Sequence, residues 1–213
     1  MDFTPPPESH HEEKVSAPDH LQPSSKFNME YLMESDKIRL AQAKPVDKVV
    51  DVGQIGTMKL PSGFVEGESE RGTVGSNMFQ EYHLAADPSV KLYLEYRGFK
   101  MSKATGGKFH DILAEPPHKL SAEELKSLGE MFDTRSNPSE FHTQIAKTQD
   151  VDGKRVLVLE GRYLKHDLQA RTMFIDADDT GRVVQQVTFQ APMDKRSQYF
   201  NDGINALESI KWR

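Results

Sequence analysis

Between Phe141 and Gln190 the chain repeats one pattern, and that stretch constrains the fold more than any other. Short runs rich in β-branched and aromatic residues alternate with turn residues. Phe141 to Gln149 reads as a strand, and Val151-Asp152-Gly153-Lys154 as a turn. Strands Arg155 to Leu164 and Ala170 to Asp176 follow, then a turn at Asp178-Asp179-Thr180-Gly181 and a strand from Val183 to Gln190. Gly153 and Gly181 supply the positive φ that tight hairpins require. Strands following one another this closely form an antiparallel meander. After Pro192, Phe200, Ile204, Leu207 and Ile210 recur at helical spacing, so a helix is expected to close the chain against the sheet, with Glu208 on its opposite, idle face.

Upstream, the same reasoning places a strand at Gln54 to Leu60, a turn at Pro61-Ser62-Gly63, and strands at Met78 to Leu84 and Val90 to Arg97 separated by Asp87-Pro88-Ser89. In the last of these, Val90, Leu92, Leu94 and Tyr96 share one face, while Lys91, Tyr93, Glu95 and Arg97 share the other. No period holds from Met101 to Pro117, where Gly106-Gly107 and Pro116-Pro117 mark a loop. Leu120-Ser121-Ala122-Glu123-Glu124-Leu125 is a capping box with a hydrophobic staple, so a helix starts at Ser121 and runs to about Phe132 or Thr134.

The fold class expected is α+β, an antiparallel sheet flanked by helices. Residues 1–25 hold five of the twelve prolines and few large apolar side chains, and read as a disordered acidic tail. Residues 26–45 read as a helical lead-in stopped by Pro45, and 46–213 as a single α+β domain.

Charge narrows the function. Of the net −6, the first 25 residues carry −4, from five acidic residues against Lys14. A near-neutral body gives no long-range attraction to phosphate backbones, so nucleic acid is not an expected partner. No run of about 20 apolar residues is present to cross a bilayer, so a soluble protein without a transmembrane segment is expected. That means cytoplasmic as written, or periplasmic or luminal if a targeting segment was removed. With no cysteine, thiol nucleophiles, disulfides and thiolate metal sites are excluded.

The stretch from Asp152-Gly153-Lys154 to the C-terminus resembles the PsbP-like superfamily, which includes the photosystem II extrinsic protein, the Ran-binding import factor and bacterial relatives of the DcrB type. The resemblance lies in Val156-Leu157-Val158-Leu159-Glu160, Arg171-Thr172-Met173-Phe174-Ile175, Gly181, Gln190-Ala191-Pro192-Met193-Asp194-Lys195-Arg196, Phe200 and Leu207-Glu208-Ser209-Ile210. Leu60-Pro61-Ser62-Gly63-Phe64 is similar to that family's opening, which extends the match to residues 54–213. The resemblance implies an α/β/α sandwich and a role in binding proteins. Two departures matter: Ser197 stands where an aromatic is usual, and no plant-type targeting segment is present, so a photosynthetic role does not carry over.

Few motifs carry chemistry. Asp176, Asp178, Thr180 and Gly181 match the start of an EF-hand loop, but Val187 replaces the closing Glu, so they read as a hairpin turn with Asp176 and Asp178 only weak metal candidates. Gly67, Gly72 and Thr73 outline a phosphate loop without its lysine and read as a flexible connection between strands. Glu81 and His83 share one face of a strand, opposite Lys91 or Glu95: a cross-strand charge cluster, or an acid/base site. His10-His11-Glu12-Glu13 can hold a divalent metal weakly, whereas the other histidines show no ligand spacing to one another, and no cofactor is expected. Trp212, beside Lys211 and Arg213, is either an anchor of the last helix turn or an exposed interface aromatic. Lys100, Lys103 and Lys108 bracket the Gly-Gly segment as a solvated connection or a contact for an acidic partner.

These features favour a non-catalytic binding, chaperone or assembly protein, acting on a protein partner through a sheet face or the 98–118 loop. The alternatives are a small-ligand or metal-binding module, and a hydrolase built around Glu81, His83 and Glu95.

Overall fold

The computed structural model describes residues 44–71, 78–96, 101–132 and 141–213. The 1–25 tail, the 26–45 lead-in except its last two residues, Lys100, and Gly72 and Thr73 lie outside the described residues.

The described chain opens with strands β1 (Lys48–Val52), β2 (Ile55–Lys59), β3 (Phe64–Arg71), β4 (Met78–Leu84) and β5 (Asp87–Tyr96). Helices α1 (Lys103–Ala114), α2 (Ala122–Ser127) and α3 (Gly129–Phe132) follow. Strands β6 (Phe141–Val151), β7 (Lys154–Tyr163), β8 (Leu168–Asp176) and β9 (Val184–Pro192) then lead through a 3-10 turn into α4 (Arg196–Glu208) and β10 (Lys211–Trp212). Every pairing is antiparallel. A seven-stranded sheet has the order β3-β4-β5-β9-β8-β7-β6, and a three-stranded sheet has the order β1-β2-β10.

Alternation puts two different layers on the large sheet. On one face Tyr82, Leu92, Leu94, Val158, Met173, Val187 and Phe189 pack with Phe200, Leu207 and Ile210, and with Val49, Ile55 and Met58 of the small sheet. On the other face Leu157, Leu159, Phe174 and Val184 pack with Phe109 and Ile112 of α1 and with Leu120, Leu128 and Met131. Buried Gln185 ties the small sheet to the large one: its Nε2 donates to the Val52 carbonyl at 3.0 Å, and its Oε1 accepts from the Gln54 amide at 2.7 Å.

The meander and its turns stand as read, with the Asp152-Gly153 turn between β6 and β7. The capping box at Ser121 forms: Ser121 Oγ accepts from the Glu124 amide at 3.2 Å, and Glu124 Oε2 accepts from the Ser121 amide at 2.7 Å. The helix it starts breaks at Leu128, and a second short helix completes the segment.

Four readings change. First, Gly106 and Gly107 sit inside α1 and not in a loop. Each glycine costs a helix about 1 kcal/mol. Burial of Phe109 and Ile112 and the Ser102 cap on Thr105 offset this. Gly106 is required there, because a Cβ would meet Arg182 Cγ at 2.8 Å and the Gly181 carbonyl at 3.1 Å. Second, Gly67 belongs to β3 and not to a flexible connection, at a point where the β3–β4 register shifts. A Cβ there would lie 2.9 Å from His83 Nδ1 and 3.0 Å from Glu81 Oε1, so its absence admits both side chains. Third, Asp87-Pro88-Ser89 opens β5, and the turn is at 85–86; a proline is tolerated at a strand's first residues. Fourth, the chain ends in β10 and not in helix, since Lys211 pairs with Thr57 and Trp212 with Ile55.

Candidate functional site

Among the described residues the helical layer reaches only part of its face: its strand partners come from β6 to β9, and none comes from β3, β4 or β5. There, the side chains alternating with buried Tyr82, Leu92 and Leu94 are Phe79, Glu81, His83, Lys91, Tyr93 and Glu95. Gln190 and the Thr172–Thr188 pair continue the same surface across β9 and β8.

Register assembles this patch. Glu81 stands opposite Tyr93, His83 opposite Lys91, and Phe79 opposite Glu95. Glu81 is the hub: its Oε1 lies 3.3 Å from His83 Nδ1, and its Oε2 accepts from Lys91 Nζ at 3.2 Å. Glu81 and His83 are both buried, so the carboxylate's charge is matched mainly by Lys91. His83 is at ion-pair distance but lacks the alignment of a hydrogen bond. Tyr93 stacks at a tilt on Phe79 with ring centroids 5.6 Å apart, and its hydroxyl accepts from Gln190 Nε2 at 3.1 Å. Burial, then the charges of Glu81 and Glu95, push the Tyr93 phenol well above its usual value, so it stays neutral. The surface is thus a half-exposed aromatic pair beside an ion set, flanked by hydroxyl and amide groups.

The other sequence candidates lie elsewhere. Lys103 and Lys108 are exposed on α1, away from the strands that carry Glu81, His83 and Glu95. The structure brings Glu81 and His83 together, as an acid/base reading asks, while Glu95 lies beyond the Phe79–Tyr93 ring pair on β5. Trp212 is half-buried on β10; its Nε1 donates to the Val151 carbonyl at 2.7 Å, and Lys154 Nζ lies 5.8 Å from its ring centre. Phe79, Tyr93 and Gln190 were not singled out in the sequence. For Tyr93 the signal was present, since it alternates with the buried residues of its strand.

Asp176 and Asp178 form the hairpin expected of them. Asp176 Oδ2 accepts from the Gly181 amide at 2.9 Å and lies 3.1 Å from His110 Nδ1. Asp178 accepts from the amides of Thr180 and Val183 and from the Thr180 hydroxyl. Burial pushes Asp178 up, but the bonds from Thr180 and Val183 outweigh it and hold the carboxyl below its usual range. A calcium ion would have to displace these donors, so millimolar calcium is expected to leave the thermal midpoint unchanged. A rise that disappears in Asp176→Ala would refute that expectation.

No helix among the described residues is long and apolar enough to cross a membrane. No family model matches the chain, and no curated protein does so by sequence. Among solved structures it is similar to the solution structure of cyanobacterial PsbP (CyanoP) from Synechocystis sp. PCC 6803, with 11% sequence identity and a TM-score of 0.45 over 77% of this chain and 95% of that one.

Proposed function

We propose that this chain is a non-catalytic binding protein and that a protein partner docks on the β4–β5 side of the large sheet, around Lys91 and Tyr93. The carrying observation is the helical layer's limit: it packs on β6 to β9 and leaves the face of β4 and β5 without a helix among the described residues. What lies there is an aromatic pair already locked by stacking and by a hydrogen bond, which loses little side-chain freedom on docking. Aromatic anchors ringed by polar groups are the usual composition of interface hot spots.

The test is a pulldown from native lysate with the full chain and two variants, Tyr93→Ala and Lys91→Glu, each checked for retained fold by circular dichroism. A stoichiometric partner held by the parent is expected to bind Tyr93→Ala roughly thirtyfold more weakly, the loss of a hot-spot contact of about 2 kcal/mol. A partner retained equally by both variants would move the interface off this face. A small molecule found on the parent by native mass spectrometry, with no protein partner, would replace this reading with the ligand-binding one.

A further inference from the structure

The geometry points to a divalent metal site of the zinc class, formed by Glu115, His118 and Glu124 where α1 gives way to α2. The ligand atoms of the three side chains lie within 4.8 Å of one another. His118 Nε2 is 3.1 Å from Glu124 Oε1 and 3.9 Å from Glu115 Oε2. Tetrahedral zinc with bonds of about 2.0–2.2 Å places its ligands about 3.3–3.6 Å apart; the two His118 distances bracket that spacing, and the carboxylate atoms, within 4.8 Å of each other, would have to close by up to about 1 Å.

The surroundings orient each ligand from outside the triplet. His118 Nδ1 lies 2.8 Å from the Pro116 carbonyl, which can only accept, so Nδ1 carries a proton. Nε2 faces the Glu124 carboxylate, which is also an acceptor, so it donates there, and a zinc ion would take the place of that proton between the ring and the two carboxylates. A ligating histidine is commonly fixed in this way, by a backbone carbonyl on its other nitrogen. The His118 backbone is pinned to the edge of β6, its amide donating to Thr148 Oγ1 at 3.0 Å and its carbonyl accepting from the Thr148 amide at 2.8 Å. Glu124 spends Oε2 on the Ser121 amide and hydroxyl and turns Oε1 to His118. The Glu115 carbonyl accepts from Arg155, which holds the end of α1 in place.

Two carboxylates and a neutral imidazole suit a borderline dication better than calcium, which prefers oxygen ligands throughout. The Glu115 side chain is 60% exposed, which leaves the site open for a water as fourth ligand. A search for histidine pairs passes over this site, because its partners are glutamates separated from His118 by Pro116-Pro117 and by the cap of α2. Its effect would be to fasten α1 to α2.

The test is zinc titration of the full chain by calorimetry in a His10→Ala/His11→Ala background, which removes the weak chelating pair of the N-terminal segment. One equivalent of zinc is expected to bind and to raise the melting point. His118→Ala should lower affinity at least about a hundredfold and Glu115→Gln about tenfold or more. Calcium at the same concentration should do neither. Because His118→Ala could perturb the β6 edge, the parent is also followed by NMR: stoichiometric zinc should shift the His118 ring signals while its Nδ1 proton is retained. Undiminished binding in His118→Ala, loss of all binding in the His10→Ala/His11→Ala background, or unmoved His118 signals would each overturn the site. None of these outcomes bears on partner docking at Tyr93.

Discussion

Glu160→Ala is expected to destabilise the protein by about 3–5 kcal/mol, the largest single loss the structure suggests, because it strands a buried charge. Glu160 and Arg171 are 5% and 6% exposed, and Arg171 Nη1 donates to Glu160 Oε2 at 3.0 Å. The ends of α4 reach the same pair: Arg196 Nη2 lies 3.6 Å from Glu160 Oε1, and Glu208 Oε1 lies 3.6 Å from Arg171 Nη2. Without Glu160 the guanidinium keeps a long 3.4 Å contact to Gln149 Oε1 and the half-exposed Glu208. Against a total stability of roughly 5–15 kcal/mol such a loss is large. At 2–4 °C per kcal/mol for a chain of this size, it should appear as a midpoint drop on the order of 6–20 °C. Glu160→Leu combined with Arg171→Met should recover most of it, because replacing both members of a buried pair by apolar groups is often close to neutral. Denaturation of Glu160→Ala and of the double variant by urea measures this. A single-variant loss below about 1 kcal/mol would show that water reaches the pair.

Leu207→Ala is expected to cost about 2–5 kcal/mol through lost transfer energy and the cavity it leaves. Leu207 is fully buried on α4 and belongs to the same cluster as Phe189, Phe200 and Ile210. Asp202, exposed on the same helix, supplies the control, and Asp202→Ala should stay within about 0.5 kcal/mol of the parent. Glu208, which periodicity placed on an idle face, is a poor control because of its contact with Arg171. If Leu207→Ala melts like the parent, α4 does not close this side of the sheet. If it keeps its fold and loses the partner instead, the stripe is an interface and the docking face assigned here is wrong.

Where local chemistry suffices, residues alone determined structure. The Asp152-Gly153 and Thr180-Gly181 turns, the alternation through β5, the Ser121 capping box and the stripe Phe200, Leu207 and Ile210 each satisfy a rule that acts within a few residues. Tertiary structure decided the rest, wherever a long-range contact outweighed a local preference. Gly106 and Gly107 read as a breaker, yet they lie in a helix because Phe109 is buried, and Gly106 lets that helix approach the Gly181 turn closely. β1 is a short strand around Asp51, whose φ is +56°, and it becomes visible only once β2 pairs with it. β10 is two residues long and exists because β2 offers an edge and the Val151 carbonyl takes the Trp212 indole. The candidate site follows the same division. Alternation put Glu81 and His83 on one face of their strand and Lys91, Tyr93 and Glu95 on one face of the next, but only strand pairing made them one surface. Side chains separated in sequence acquire a common environment through register, which is not encoded within a single strand.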